Sequence, residues 1–202
     1  MIQQSEEYSR GLQQHYERVM SIIASSNKAA KDVVGKSYEE FRTAQIKKYK
    51  YLDVASPKEA KEFRRYLGNE FTADQYIVEK ESRKILAVEE DKGHYVDKCF
   101  AKRAIFNAAE VFSHCNANNI EAPYFILSCP TMFAVDELIE GQRKMFNDAV
   151  SCLLKYKFKF FYACNHGRTS RFEYLVEESM PFEVDPVLVA KEVEFFNKLS
   201  RG

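Results

Sequence analysis

Tryptophan is absent, glycine occurs only 7 times and proline only 5 times in 202 residues. That scarcity excludes collagen-like repeats and long flexible linkers. Net charge is missing too, since 30 Lys and Arg balance 30 Asp and Glu. Proteins dedicated to duplex nucleic acid gain affinity by neutralising phosphates and releasing counterions, so such contact here needs a local basic patch. No apolar run approaches the ~18–20 residues of a membrane-spanning helix, and the first residues lack the apolar core of a signal peptide. The 5 cysteines (Cys99, Cys115, Cys129, Cys152 and Cys164) are odd in number and contain no CxxC spacing. Four of them sit in apolar stretches, where a free thiol behaves as a small hydrophobe. These absences predict a protein of a reducing, cytoplasmic compartment, with no disulfide framework, no metal site and no membrane partner.

What is present is a folding sequence. Hydrophobic residues make up 46% and charged residues 30%, which suits a packed core. Leu12, Tyr16, Val19, Met20 and Ile23 share a 3.6-residue stripe, so residues 1–48 are expected to form a helical region, interrupted at Ser25-Ser26-Asn27 and Gly35. A second helix is expected from Ser37, with Ser37 and Glu40 spaced as a capping box. Residues 49–202 are expected to form an α+β domain. A short strand that takes in Tyr49 and Tyr51 and extends toward Leu52–Val54 precedes the helix start Ser56-Pro57-Lys58-Glu59, which ends at Gly68. Strands follow at Tyr76–Glu79 and Ile85–Val88, with a third near Tyr95. A helix then buries Ala101, Ala104, Ile105, Ala108, Val111, Phe112 and Cys115. Tyr124–Leu127 fits a central strand, and a long helix is expected over residues 135–155. Two more strands, 158–163 and 172–176, flank a turn at His166-Gly167-Arg168, and Asp185-Pro186 opens a C-terminal helix. The expected class is α+β: N-terminal helices, then a mixed or antiparallel sheet interleaved with helices, then a C-terminal helix.

Residues with chemistry are few. Cys164, His166 and Arg168 mark the candidate functional turn, because a thiolate needs a nearby base or cation and residues two apart on a strand share a face. His114 is the other histidine considered as a partner for Cys164. Glu89-Glu90-Asp91 and Glu177-Glu178 stand beside turns and read as solvated. The run Lys155–Tyr162 alternates basic and aromatic residues, which as a strand places its lysines on an outer face that discourages edge pairing. Lys47-Lys48-Tyr49-Lys50 reads as a solvated helix end. No Gly-rich phosphate loop is present.

The order of elements from Tyr49 resembles the GNAT acyltransferase superfamily. Tyr51–Ala60 is similar to that family's opening strand and helix start, and Tyr76–Lys80 with Lys84–Val88 to its hairpin. Asn147-Asp148-Ala149 with Leu153–Phe158 is similar to its late helix and closing strand. The resemblance implies an acyl-CoA pyrophosphate held by backbone N–H groups at an Arg/Gln-x-x-Gly-x-Gly/Ala turn. The matching segment is Arg103-Ala104-Ile105-Phe106-Asn107-Ala108, so Arg103 and Ala108 are the implied cofactor-binding residues. Phe106 stands where the family has glycine, which marks the core as degenerate; Gln142-Arg143-Lys144 is a second match. Tyr156 and Tyr162 lie near the family's general-acid position.

The favoured expectation is a non-catalytic α+β interaction protein, of the kind a virus or mobile genetic element encodes, with a degenerate GNAT-like core and no cofactor. Its partner would be another protein or a second copy, met through the N-terminal helices and residues such as Ile22, Ile23, Val33 and Val34. Two alternatives stay open. One is an acyltransferase moving an acyl group from acetyl-CoA to an amine. The other is a nucleic-acid-binding protein using local basic patches.

Overall fold

The computed structural model describes residues 2–25, 30–68, 71–91, 98–131, 160–168 and 183–201. Two helices come first, α1 (Ile2–Ser25) and α2 (Ala30–Ile46). Then follow β1 (Leu52–Val54), α3 (Pro57–Leu67), β2 (Gln75–Glu79), β3 (Ile85–Asp91), α4 (Lys98–Ala117), β4 (Tyr124–Thr131), β5 (Phe160–Arg168), β6 (Glu183–Val184) and α5 (Pro186–Leu199). Among the described residues the strands form one six-stranded sheet in chain order. β1, β2 and β3 pair antiparallel, β3, β4 and β5 pair parallel, and β6 returns antiparallel to β5. A parallel step needs a crossover, and α4 supplies the one from β3 to β4. The architecture is therefore α+β, with leading helices, a mixed sheet and a closing helix. The expected helix over 135–155 and the strands near Tyr95 and over 172–176 lie outside the described residues.

Strand alternation divides the core into layers. On one face Leu52, Ile77, Ala87 and Ile126 pack with Ile46 of α2 and Phe196 of α5. On the other, Tyr76, Val88, Phe125 and Leu127 pack with Leu67 of α3 and with Ala104, Ala108, Val111 and Cys115 of α4. The N-terminal helices dock on the chain's own core: Tyr8 and Leu12 of α1 and Tyr38 of α2 cluster with Val189 and Val193 of α5. At Gly11 the helices approach closely, and a Cβ there would stand 3.1 Å from Gln45 Nε2 and 3.2 Å from Phe41 Cε2.

One local expectation needs correction. Ser37 is not an N-cap, because α2 begins at Ala30 and runs through Gly35. Tertiary packing explains the difference. Tyr38, Phe41, Arg42 and Gln45 form one helical stripe, and the buried Ser37 hydroxyl lies 3.5 Å from His15 Nδ1 of α1. The start of α3 follows the sequence closely. Ser56 N donates to Glu59 Oε2 at 2.9 Å, Glu59 N donates to Ser56 Oγ at 3.4 Å, and Pro57 opens the helix. Gly68 ends it at φ +120°, a backbone state that side chains disfavour. Ser56→Ala should cost about 1 kcal/mol, read as a lower urea midpoint with an unchanged slope.

Candidate functional site

By the alternation of β3, Glu89 and Asp91 stand on the α2/α5 face with Ala87, and Glu90 stands on the α3/α4 face with Val88. These carboxylates, expected to be solvated beside a turn, are buried instead, with exposures of 0, 9 and 7%. The strand continues to Asp91 because its last residues pair with β4: Glu89 with Ile126, Glu90 with Leu127 and Asp91 with Ser128.

A buried carboxylate is costly unless it finds partners. Glu89 Oε1 accepts from Arg42 Nε at 2.6 Å, with both side chains fully buried. Arg42 Nη1 also donates to Glu192 Oε1 of α5 and to Tyr8 Oη of α1. Tyr8 Oη donates to Glu192 Oε1 at 3.2 Å, and the Phe196 ring centre lies 5.4 Å from the guanidinium carbon. One guanidinium thus ties α1, α2 and α5 to β3. Burial works against its charge, but Glu192 and Glu89 outweigh burial and hold Arg42 firmly protonated. Burial also pushes the phenols of Tyr8 and Tyr38 well above their ordinary range.

Asp91 has its own holders. Its backbone N–H donates to Asp74 Oδ2 at 2.7 Å, and its Oδ2 accepts from Gln75 Nε2 at 2.7 Å. The carboxamide of Gln75 also donates to Glu39 O at 3.1 Å and accepts from Thr43 Oγ1 at 3.2 Å, both on α2. Tyr38 Oη and Ser128 Oγ share a hydrogen bond of 2.7 Å nearby. On β3 the buried oxygens Glu89 Oε2 and Asp91 Oδ1 meet no donor from any residue outside the pair, and Nη2 of the neighbouring Arg42 is likewise a buried donor without an acceptor. Burial first, and the Glu89 carboxylate second, through its charge and a side-chain hydrogen bond to Asp91, hold the Asp91 carboxyl well above the ordinary carboxylate range, with Arg42 pulling it down. Two carboxyls so placed call for a shared proton or a cation. Among the described residues, no three His, Cys, Asp or Glu side chains stand so that they could hold a metal ion by themselves. A cation here would have an incomplete protein shell.

The residues singled out from sequence fall in other places. Cys164, His166 and Arg168 lie within β5, not in a turn, because Gly167 pairs with Thr131 of β4 and with Val184 of β6, and Arg168 pairs with Glu183. Cys164 is paired in register with Cys129. The step from Cys164 to Gly167 faces the shorter step from Cys129 to Thr131, with a register shift between them. The trio does lie toward the same carboxyl end of the parallel strands as Asp91, since Asp91 pairs with Ser128 and Ser128 with Ala163. His114 is engaged elsewhere, its Nε2 3.0 Å from Tyr66 O.

Arg103 and Ala108 lie inside α4, with Arg103 exposed and Ala108 in the core. Backbone N–H groups beyond the first turn of a helix are spent on the helix itself, so no anion turn exists at this position. Gln142-Arg143-Lys144, Asn147–Phe158 with Tyr156, and Glu177-Glu178 lie outside the described residues; Tyr162 is part of β5. Lys47, Lys48 and Lys50 are exposed.

Sequence reasoning missed Arg42, Gln75 and Glu192, yet a signal was there. Arg42 follows Tyr38 by four residues on the inward stripe of α2, and Glu192 follows Val189 by three on α5. A charge at a core position of an amphipathic helix asks for a buried partner. In β3 the apolar run Ile85–Val88 passes into Glu89 without a turn residue, so an end to the strand at Val88 had no chemical cause. A groove of about 630 Å³ between α1 and α2 is lined by Arg10, His15, Arg18, Glu40 and Gln45 among others, and by none of the buried carboxylates. Burial lowers the pKa of His15 to about 4, with Arg18 adding to the effect. No helix among the described residues is long and apolar enough to cross a membrane. Comparison with known protein families, with curated proteins and with solved structures gave no match.

Proposed function

We propose that Glu89 and Asp91 form the protein part of a Mg²⁺ site and that the chain hydrolyses a phosphate ester there. The observation that carries this reading is the pair of buried oxygens Glu89 Oε2 and Asp91 Oδ1, which no donor from any other residue meets, on carboxyls within hydrogen-bond reach of each other at the end of β3. Mg²⁺ is a hard cation that commonly rests on one or two carboxylates, with waters and substrate phosphates completing its shell. Two carboxylates without a third protein ligand suit that mode better than a closed structural site. When bound, such an ion polarises a phosphoryl oxygen and acidifies a bound water.

The chain's own residues do the rest. Arg42 occupies Glu89 Oε1, which leaves Oε2 for the ion, and Gln75 occupies Asp91 Oδ2, which leaves Oδ1. The pair stands at the carboxyl ends of parallel strands, where ligand crevices open in α/β sheets. Lacking a Gly-rich phosphate loop, the chain would hold its substrate phosphate through the ion.

A second reading has an observation of its own. Arg42 is fully buried between Glu89 and Glu192, which also suits a purely structural clamp in a non-catalytic interaction protein. Thermal unfolding with and without Mg²⁺ or Mn²⁺ separates the two. A cation at about 100 times its Kd should add about 2.7 kcal/mol of stability, and EDTA-sensitive release of p-nitrophenol from bis(p-nitrophenyl) phosphate should accompany it. If neither cation stabilises the protein and no EDTA-sensitive release occurs, the clamp reading stands and the hydrolase reading fails.

A further inference from the structure

We infer that Gln75 is a positioning residue that decides which oxygen of Asp91 is offered to the cation; this rests on the reading of Glu89 and Asp91 as its ligands. The carboxamide has no freedom to turn over. Glu39 O can only accept, so the Gln75 nitrogen must face it, and Thr43 Oγ1 donates to the Gln75 oxygen on the other side. Both anchors lie on α2, one helical turn apart. With one N–H spent on Glu39 O, the other is aimed at Asp91 Oδ2 at 2.7 Å.

This fixes the orientation of the carboxyl: Oδ2 accepts from Gln75, and the Asp91 group is turned until Oδ1 is the oxygen left facing away from that donor. Gln75 pairs in register with Glu89 on the neighbouring strand, so the residue that orients one ligand stands directly opposite the other. Gln75 is 3% exposed, and water cannot replace its hydrogen bond cheaply. A second-sphere donor to a ligating carboxylate sets its orientation, and losing one typically costs 10–100-fold in metal affinity.

The test is calorimetric titration of the full chain with Mn²⁺, alongside urea unfolding of the same samples. Gln75→Met keeps length and burial but removes both hydrogen-bonding groups. Its Kd for Mn²⁺ should rise by about 10–100-fold, whereas kcat for bis(p-nitrophenyl) phosphate at saturating Mn²⁺ should change much less. Thr43→Val leaves the donor but removes one anchor, and should give a smaller rise in Kd; it carries the test should Gln75→Met fail to fold. Thr43→Ser, which keeps the hydroxyl, should restore wild-type affinity. A folded Gln75→Met or Thr43→Val protein that loses stability yet binds Mn²⁺ as tightly as wild type would overturn the positioning role alone. Wild-type protein that takes up no Mn²⁺ would overturn the cation site itself, and this inference with it.

Discussion

Arg42→Met is expected to destabilise the protein by about 3–5 kcal/mol, the range for removing one partner of a buried ion pair. The side chain lost is fully buried and serves Glu89, Glu192 and Tyr8 at once. Methionine fills much of the same volume, so the loss is electrostatic more than steric. Two carboxylates would then face the interior without their cation, at the place where α1, α2 and α5 meet the sheet. Reducing that burden should recover stability, so Arg42→Met combined with Glu89→Gln should be more stable than Arg42→Met alone. Urea unfolding of the three proteins reads this as midpoints at constant slope. A loss below about 1 kcal/mol would mean that solvent reaches Arg42 and that it clamps nothing.

Asp91→Asn should act in opposite directions on stability and on function. Without cation the substituted protein is expected to gain about 1–3 kcal/mol, the penalty of an unmet buried polar group. Its carboxamide oxygen can keep the hydrogen bond from Gln75, while its NH₂ group supplies Glu89 Oε2 with the donor it lacks. The pH dependence has a definite sign. Asp91 has a folded-state pKa raised above its ordinary 3.8, so the folded protein binds this proton more tightly than the unfolded chain does. Metal-free stability therefore falls as pH rises from about 3.8 toward the raised value, and Asp91→Asn should remove that fall. The same variant should lose Mn²⁺ binding and phosphodiester hydrolysis by at least the 10–100-fold that weaker outer-sphere changes cost. Gains in stability bought with activity are the usual mark of a strained functional centre. An Asp91→Asn protein less stable than wild type without cation, at neutral pH, would show that the carboxylate is already satisfied.

Where a feature depended on neighbours in the chain, the residues announced it. Ser56-Pro57-Lys58-Glu59 forms its capping box because each bond spans three residues or fewer. The stripe Ala104, Ala108, Val111 and Cys115 is buried, as a 3.6-residue period requires, and Tyr124–Leu127 lies between two parallel neighbours as a doubly apolar run suggests. The failures have one kind of cause. Ser37 carries the right spacing for a cap, but its hydroxyl is claimed by His15 of another helix, 22 residues away. Glu89 and Asp91 have the charge of solvated residues, and only Arg42 and Gln75, reaching in from other elements, make their burial tolerable. The turn expected at His166-Gly167-Arg168 is a strand because β4 and β6 supply pairing partners that no local pattern reveals.

The sequence alone thus determined the class of the fold, the order of the long elements among the described residues and the caps of α3 and α5. These rest on propensities and periodicities that act within a few residues. Only the tertiary structure decided that three acidic residues written as a solvated run are interior, and which of them meet. Alternation sends Glu90 to one side of the sheet and the other two to a face covered by α1, α2 and α5. A carboxylate's partner there lies 47 residues away for Glu89 with Arg42, and the Arg42–Glu192 pair spans 150. Electrostatic complementarity over such distances is set by packing, because the low dielectric that gives it force exists only once the helices have closed over the sheet.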